Sequence, residues 1–423
     1  MTLIKTSMLN GIAVLVKMLT LLGINKILAV YVGPAGYAAL GQFQNAVQMI
    51  TTFASGAINT GVTKYTAEYH DQPDEQRVVW RTAGTVALVG SLITSLAIAL
   101  LNQQLASWFL QDEEYGGVFL WFAATLTLFT FNTLLLSILN GKKEVLSYVF
   151  ANIAGSLFAL FATALMTIIY GLYGALVALA IYQSLAFFVT LWICRKAAWF
   201  KLGYLLGGIE KRALINLSKF TLMALVSAVS VPVSHILVRN QLGDSFGWEA
   251  AGFWEALWRL SSAYLIVATT TLSVYFLPRL SELNDPAMLR REILNGYRLI
   301  LPLSMACGLF AYVFRDLIIG LLFTAEFQPM RELFAWQMVG DTLKIGSLLL
   351  AYLMLGKAMV KRFILFEITC AALFVLLTRL FTDWIGLQGV ALAHAATYLF
   401  YWLLVGTATV PLMKAKPNAG SDV

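Results

Sequence analysis

The segment GIAVLVKMLTLLGINKILAV, residues 11–30, is long and apolar enough to cross a lipid bilayer as a helix. It also carries Lys17 near its middle and Lys26 nine residues later. A lysine at the centre of a membrane-spanning helix costs roughly 2.5–3.5 kcal/mol on insertion scales. A residue retained at that cost is by default a candidate for function, so Lys17 directs attention to charge within the membrane.

The rest of the chain shares the apolar character of this segment. Of its 423 residues, 60% are hydrophobic and 12% are charged, and the mean hydropathy is +0.78. Soluble domains carry about 25% charged residues, so the sequence predicts an all-α integral membrane protein. The first apolar run is too long for a cleavable signal peptide, and no small-residue cleavage site follows it. The three cysteines lie scattered in apolar runs without the spacing of metal ligands, so no metal site is expected.

Hydropathy predicts about twelve spans, six in each half of the chain. Lys and Arg residues concentrate in alternate loops, and the intervening loops are short and carry few of them. This partition by loop argues against a nucleic-acid partner, and by the positive-inside rule it places both termini in the cytoplasm. The predicted spans are 7–30, 37–62, 82–101, 118–139, 145–169, 175–194, 217–238, 250–277, 299–314, 333–355, 363–380 and 388–410.

The two halves repeat each other in sequence. LIKTSML at residues 3–9 resembles LSKFTLM at 217–223, and AGYAALGQ at 35–42 resembles AGFWEALW at 251–258. TKYTAEYHDQPD at 63–74 resembles PRLSELNDP at 278–286, so the offset is nearly constant at about 215 residues. The repeat predicts bundles at 1–194 and 217–423, joined by a cytoplasmic linker at 195–216. Six spans are an even number, so the halves share one orientation, and a site is expected between them near the midplane.

The linker, which is basic and aromatic, admits two interpretations at this point. It lies on the anionic surface of the membrane, or it is a solvated connection between the bundles.

Polar residues recur at helical spacing within several predicted spans. In the second span they fall within about 80° of one another around the helix axis. Helix-to-helix hydrogen bonding explains any one of these residues, but a water-filled cavity explains several helices with such stripes. The stripes consist of Asn45, Gln48, Thr52, Ser55, Asn59 and Thr63 in the second span, Thr6, Asn10 and Lys17 in the first, Glu255, Arg259, Ser262, Thr270 and Ser273 in the eighth, and Gln337, Asp341 and Lys344 in the tenth.

The sign of the charge within the spans narrows the ligand class. Every acidic residue of the first half falls in a predicted loop, whereas Lys17 falls within a span. In the second half, Glu255 is spaced to pair with Arg259 and Asp341 with Lys344. The predicted cavity is therefore net positive, which favours an anion such as a phosphate or diphosphate.

Several of these segments also resemble a known family. GVTKYTAEYHD at 61–71, FQPMRELFAWQMVGDTLKIG at 327–346, LSKFTLMAL at 217–225 and YVGPAGY at 31–37 are similar to Wzx-type polysaccharide flippases. That group includes the O-antigen translocases and the lipid III flippases of enterobacterial common antigen, within the multidrug/oligosaccharidyl-lipid/polysaccharide exporter superfamily. The resemblance implies two six-helix bundles related by pseudo-two-fold symmetry, in a V-shaped MATE-like fold with a central cationic cavity. By position, it implies charged sites at Lys17, Lys64, Asp341 and Lys344.

The family resemblance also implies a substrate and a location. The expected substrate is an undecaprenyl-diphosphate-linked oligosaccharide, moved from the cytoplasmic to the periplasmic leaflet of the bacterial inner membrane by alternating access. An O-antigen unit is favoured and lipid III stays open. Membrane lipid, the polysaccharide polymerase and the chain-length regulator are candidate partners. No cofactor is expected. The substrate-binding candidates are Lys17, Asn45, Gln48, Asn59, Lys64, Arg259, Asp341 and Lys344, and the coupling candidates are Glu255 and Glu367. Lys17, Asp341, His235 and His394 are further titratable residues within spans, although a lone histidine in a membrane helix is more often a packing residue.

Three other classes of protein are weighed against a flippase. A multidrug or cation antiporter of the same superfamily would share the fold, but an acid-free first bundle does not suit a cationic substrate. A membrane glycosyltransferase or polymerase would need a large external loop or a cluster of loop carboxylates. Direct use of ATP is not expected, because the sequence has no G-x-x-x-x-G-K-[ST] motif.

Overall fold

The computed structural model describes residues 3–283, 285–357 and 359–414, and within these ranges the regular structure is entirely helical. Long α-helices are joined by short turns and by brief 3₁₀ segments. The helices are α1 (Leu3–Tyr31), α2 (Gly33–Ala54), α3 (Asn59–Glu68), α4 (Pro73–Leu100), α5 (Asn102–Leu110), α6 (Gly116–Gly141), α7 (Val145–Arg195), α8 (Lys211–Phe246), α9 (Trp248–Thr271), α10 (Leu277–Glu282), α11 (Pro286–Val313), α12 (Arg315–Leu322), α13 (Phe334–Gly356), α14 (Val360–Ile385) and α15 (Gly389–Lys414).

Eight helical runs among the described residues are long and apolar enough to cross a membrane. Two of them, Val145–Arg195 and Val360–Lys414, contain a break at a glycine with positive φ, Gly171 at 56° and Gly386 at 70°. Each of these runs therefore accommodates two of the predicted spans. The predicted spans at 37–62 and 250–277 are not among the eight runs, because their polar residues lower the hydropathy. The number of crossings stays a prediction.

Equivalent glycines show that the sequence repeat extends to local structure. Gly171 and Gly386, which break the two long runs, lie about 215 residues apart, the offset of the sequence repeat. Gly141 and Gly356 end α6 and α13, and a side chain on either would collide with a neighbour. That neighbour is Thr66 for Gly141 and Ser281 for Gly356, again at the same offset. Corresponding positions of the repeat thus perform the same structural task.

One predicted span is not a continuous helix. Two consecutive residues with positive φ, Gly56 at 63° and Ala57 at 52°, separate α2 from α3. The polar stripe predicted along residues 45–63 is therefore divided, because the break changes the rotation of Asn59 and Thr63 relative to Asn45. The eighth span changes its helical period as well, since a π-helix at Leu272–Phe276 follows α9.

The chain forms two compact units that divide after Pro232, inside α8. The sequence repeat instead places the division in the linker at 195–216, and the six-helix partition stays a prediction. The first turns of α8 pack within the first unit. The Oγ1 of Thr221 donates to the carbonyl of Gly56 at 3.2 Å, and Gly61 allows the backbone of Leu217 to come close.

The linker packs against the first unit over much of its length. Phe200 and Leu205 are buried in an apolar cluster that includes Trp80 of α4. The Oγ1 of Thr85 on α4 donates to the carbonyl of Gly207 at 2.9 Å, so the linker packs along α4. Other linker side chains, including those of Leu202, Leu206 and Ile209, remain exposed.

In the second unit, α13 lies against α15 because small residues allow a close approach. A side chain on Gly340 would collide with His394, and one on Gly346 would lie 2.7 Å from the ring of Trp402. Gly340 precedes Asp341 directly, so this close contact brings the Asp341 carboxylate to α15. Five charged residues of the second unit lie on α13 and on the nearby α8 and α9: Arg239, Glu255, Arg259, Asp341 and Lys344.

Candidate functional site

A buried carboxylate, Glu255 on α9, contacts two arginines in the second unit. Its Oε1 accepts a hydrogen bond from Nε of Arg259 at 2.9 Å. Its Oε2 accepts from Nε of Arg239 on α8 at 3.1 Å and also from Nη2 of Arg239. The side chains of Arg239 and Glu255 are almost fully buried, whereas that of Arg259 is 14% exposed. This confirms the predicted pair of Glu255 with Arg259 and adds Arg239, which the sequence reasoning missed.

A second buried carboxylate, that of Asp341 on α13, is held by neutral donors and a histidine. Oδ1 lies 3.1 Å from Nε2 of His394 and accepts from Nε2 of Gln337 at 3.1 Å. Oδ2 accepts from the hydroxyl of Tyr264 at 2.5 Å. The contacts of the Asp341 carboxylate therefore come from three helices, α9, α13 and α15.

Aromatic rings connect the two carboxylate sites, because the ring of Trp254 lies 5.4 Å from the guanidinium carbon of Arg239 and 5.9 Å from the ring of Trp258. The Nζ of Lys344 lies 4.3 Å from the ring centre of Trp258 and 5.6 Å from that of Tyr398. Trp258 also meets His235 edge-on at 4.3 Å and His394 at 5.2 Å. A cation over a tryptophan face is attracted by the ring quadrupole, and the attraction grows when water is excluded. Lys344 is therefore stabilised by rings where the sequence predicted a carboxylate.

The predicted ion pair between Asp341 and Lys344 is wrong. Within the described residues, no nitrogen–oxygen contact of 4.0 Å or less joins these two side chains, and Oδ1 of Asp341 instead lies 3.1 Å from Nε2 of His394. The helical spacing permits the pair, but the carboxylate turns to α15 and the amine to the aromatic rings. His394, for which the sequence favoured a packing role over a titratable one, contacts a buried acid.

The remaining coupling candidate, Glu367 on α14, lies apart from both carboxylate sites in its contacts. It is half-buried and accepts a hydrogen bond from the hydroxyl of Tyr401 at 2.9 Å.

The two carboxylate sites together form a charged cluster, which consists of Arg239, Arg259, Lys344, Glu255 and Asp341. When the histidines are neutral, this cluster has three cations and two carboxylates. The cluster therefore carries an excess positive charge.

In the first unit, Lys17 is an exposed residue of α1. Among the described residues, no carboxylate forms an ion pair with it. Thr6 and Asn10, predicted to share its face, have side chains that lie outside the described part of the structure. Lys64 is also exposed, and its Nζ lies 5.1 Å from the ring centre of the adjacent Tyr65.

The polar residues of the predicted second span differ in their surroundings. Asn45 is buried, and its Nδ2 donates to the carbonyl of Pro232 at 3.5 Å. Asn59 donates to Oγ1 of Thr133 at 3.4 Å and is half-buried, so both amides have packing roles. Gln48 is exposed, and its backbone carbonyl accepts from a threonine hydroxyl. Of the three, Gln48 has the side chain most accessible to a ligand.

Two functional candidates, Arg239 and Tyr264, escaped the sequence reasoning for different reasons. Arg239 falls one residue beyond the predicted end of the seventh span, although it lies four residues after His235, on one face of α8. That spacing was a usable signal. Tyr264 had no such signal in the sequence, because a tyrosine in an apolar helix usually has a packing role.

Among the described residues, no group of three or more metal-ligating side chains comes together.

Comparisons with known proteins place this architecture in a family. A sequence profile described as polysaccharide biosynthesis protein matches residues 3–284. Two proteins named lipid III flippase, from Escherichia coli K12 and Shigella flexneri, are each 32% identical over 404 residues, covering 96% of this chain and 97% of the relative.

Solved structures show the same fold at low identity. An inward-facing multidrug resistance MATE family transporter of the MOP superfamily superposes with a TM-score of 0.77 at 16% identity, covering 95% of this chain and 96% of that one. A MATE transporter of Vibrio cholerae gives 0.75 at 15% identity, covering 97% and 98%. The MATE-like fold predicted from the sequence is thus confirmed.

Proposed function

The chain belongs to the polysaccharide biosynthesis protein family, and we propose that it is a flippase for a lipid-linked oligosaccharide. The observation that carries the proposal is the similarity to two lipid III flippases, which is 32% in identity and spans nearly the whole length of both chains. A short shared motif could reflect the fold alone, whereas identity of this degree covers 96% of this chain and 97% of each relative.

The proposed substrate is a saccharide joined through a diphosphate to a polyprenyl lipid. The sequence resemblance favoured an O-antigen unit, whereas the relatives are named for lipid III. Lipid III is therefore the first substrate to test and an O-antigen unit the second. Both carry the same anionic diphosphate, so both need the same counter-charge within the membrane.

The diphosphate is the part of the substrate that hydrocarbon excludes most strongly. In the first unit, Lys17 is exposed and has no carboxylate partner among the described residues, which suits it to meet an anion. In the second unit, Arg259 is the more exposed of the two arginines on Glu255. Export of anionic charge across an inside-negative potential releases roughly 2.3 kcal/mol per charge per 100 mV, so the potential assists the loaded step.

The proposed mechanism is alternating access without covalent chemistry. Its residues bind and release the substrate, and no bond of the substrate is broken. We further propose that the protein lies in the bacterial inner membrane with both termini in the cytoplasm, as the loop charges predict. The polymerase and chain-length regulator that act on exported saccharides are proposed as partners.

Complementation tests the function directly. The gene is expressed in two strains, one lacking its lipid III flippase and one lacking its O-antigen flippase. Lipid-linked saccharides are then quantified by mass spectrometry alongside the polysaccharide at the cell surface. We expect the blocked intermediate to disappear and the surface polymer to return in at least one strain. Failure in both strains at normal membrane levels, together with resistance to organic cations, would instead support the antiporter alternative.

A further inference from the structure

A groove of about 510 Å³ lies on the second unit between α11 and α15, with α13 at its base. Its walls are largely apolar and include Leu294, Leu399, Leu403 and Val410, all of them exposed. Gly406 widens the groove, because a side chain at this position would meet no atom within 4 Å. An apolar channel of this kind on a membrane helix surface suits a hydrocarbon chain.

The polar groups inside the groove are already satisfied by the protein. The Nε1 of Trp402 donates to the hydroxyl of Tyr297 at 2.9 Å, and that hydroxyl donates to the carbonyl of Gly346 at 3.1 Å. The groove therefore makes no demand for a polar ligand along its length. Whatever polar recognition it provides must come from its end.

A second hollow of about 570 Å³ adjoins the groove at the start of α11. The two share Arg290, Leu294 and Met413, so they form one continuous depression. The hollow is also lined by Arg291 and Arg298, and Lys414 lines the groove close by. Asp285 is present as well, but its carboxylate caps α11 by accepting from the backbone amides of Ala287 and Met288 at 3.3 and 3.2 Å.

Among the described lining residues, the cations of this depression outnumber its one carboxylate, Asp285, by four to one. Within the described ranges, Arg290, Arg291, Arg298 and Lys414 form no ion pair with any carboxylate. Four cations at the mouth of an apolar groove match an amphiphile with an anionic headgroup. Basic pockets at the ends of transmembrane helices are a recurring mode of recognition for anionic phospholipids.

The geometry points to a binding site for an anionic phospholipid, with its phosphate at Arg290 and Arg291 and an acyl chain along the groove past Gly406. A resident lipid suits this depression better than the transported substrate does. Arg290 and Arg291 lie in the first two turns of α11 and Lys414 is the last residue of α15, so these three cations lie at one end of the helices, with Arg298 two turns further along α11. A lipid held there keeps its headgroup in one leaflet, whereas the diphosphate of the substrate must leave that leaflet.

The test measures lipid binding to the purified full-length protein by native mass spectrometry and by thermal stability in detergent. The probes are phosphatidylglycerol, cardiolipin, the zwitterionic phosphatidylethanolamine and undecaprenyl phosphate. We expect the two anionic phospholipids to bind and to raise the melting temperature, and phosphatidylethanolamine to do neither. The double variant Arg290→Gln/Arg291→Gln should bind them about 30-fold more weakly, from the usual contribution of each basic residue at an anionic lipid surface.

Matched variants separate binding from folding. Lys361→Gln/Arg362→Gln removes two exposed cations at the start of α14 that do not line the depression and should leave binding unchanged. Gly406→Leu should block the groove, whereas Gly320→Leu, at another open glycine, should not. Equal binding by all variants, or equal binding of phosphatidylethanolamine, would overturn the proposal. Preferential binding of undecaprenyl phosphate would overturn it too, by assigning the groove to the substrate's own lipid.

Discussion

Glu255→Gln should lower the stability of the second unit more than Arg259→Gln, a change in one of the two arginines that Glu255 contacts. The carboxylate accepts hydrogen bonds from both Arg239 and Arg259. Without it, the two guanidinium groups lose the carboxylate that they share, and the repulsion between them is no longer offset by that negative charge. Removal of one partner from a buried ion pair costs about 3–5 kcal/mol, because the remaining charge stays buried and unpaired.

The loss of Arg259 has a smaller expected effect. Glu255 keeps Arg239, which contacts it through two nitrogens, and the Arg259 side chain is already 14% exposed. A glutamine at position 259 can still donate to the carboxylate. The expected cost is at most about 1.5 kcal/mol, the low end for a hydrogen bond to a charged group.

Apparent melting temperatures in detergent distinguish these expectations. For a unit of this size, 1 kcal/mol shifts the midpoint by about 2–4 °C, so Glu255→Gln should lower it by roughly 6–20 °C and Arg259→Gln by no more than about 6 °C. The double variant Glu255→Gln/Arg259→Gln should be more stable than Glu255→Gln, because one excess charge is removed. A double variant less stable than either single one would refute the charge-balance argument.

A buried side-chain contact, a strained glycine and the orientation of the loops each give a measurable outcome. In a double-mutant cycle on Asp341→Asn and His394→Gln, contact between the side chains should give a coupling energy of about 0.5–3 kcal/mol, and additive effects would contradict the contact. Gly386→Ala should destabilise by about 1–3 kcal/mol through backbone strain alone, since its φ is 70° and its side chain would meet no neighbour; an unchanged melting temperature would count against that conformation. In a cysteine-free background, an impermeant thiol reagent should label cysteine at Gln328 from outside intact cells but not cysteine at Gly208, and the reverse pattern would invert the orientation.

The helical architecture was predictable from the sequence because hydropathy and helix length are local properties. The repeat was predictable as well, and the equivalent glycines Gly171 and Gly386 show the physical reason for it. Both positions need a positive φ, so both halves keep glycine there. The break between α2 and α3 was not predictable in this way, because one of its two left-handed residues is Ala57, which carries no signal of a turn.

The partners of the charged residues were only partly predictable. Helical spacing identified Glu255 and Arg259, which lie one turn apart on α9. The same rule failed for Asp341, because its environment is set by α15, which is distant in sequence and which Gly340 allows to approach. Periodicity along one helix cannot decide between a neighbour on that helix and a neighbour on another. Contacts such as the one with His394 require the packed structure.

Lys17 gives the sharpest test of the proposed transport mechanism. It lies within an apolar helix, is exposed, and has no ion-pair partner among the described residues. The described structure therefore gives no ion pair through which Lys17 would stabilise the fold. If Lys17 supplies a counter-charge to a diphosphate, charge matters more than shape. Lys17→Arg should keep part of the transport activity, while Lys17→Met should lose it although its insertion into the membrane becomes easier.

The readout for Lys17 is surface-polysaccharide assembly in cells lacking their own flippase, normalised to the amount of protein in the membrane. Because Lys17→Met removes a charge from hydrocarbon, low protein levels cannot explain a loss of activity that persists after normalisation. Full complementation by Lys17→Met would contradict the counter-charge hypothesis. Arg259, the partly exposed cation beside Glu255, would then be the residue that meets the anion, and Arg259→Gln should abolish transport while leaving the protein folded.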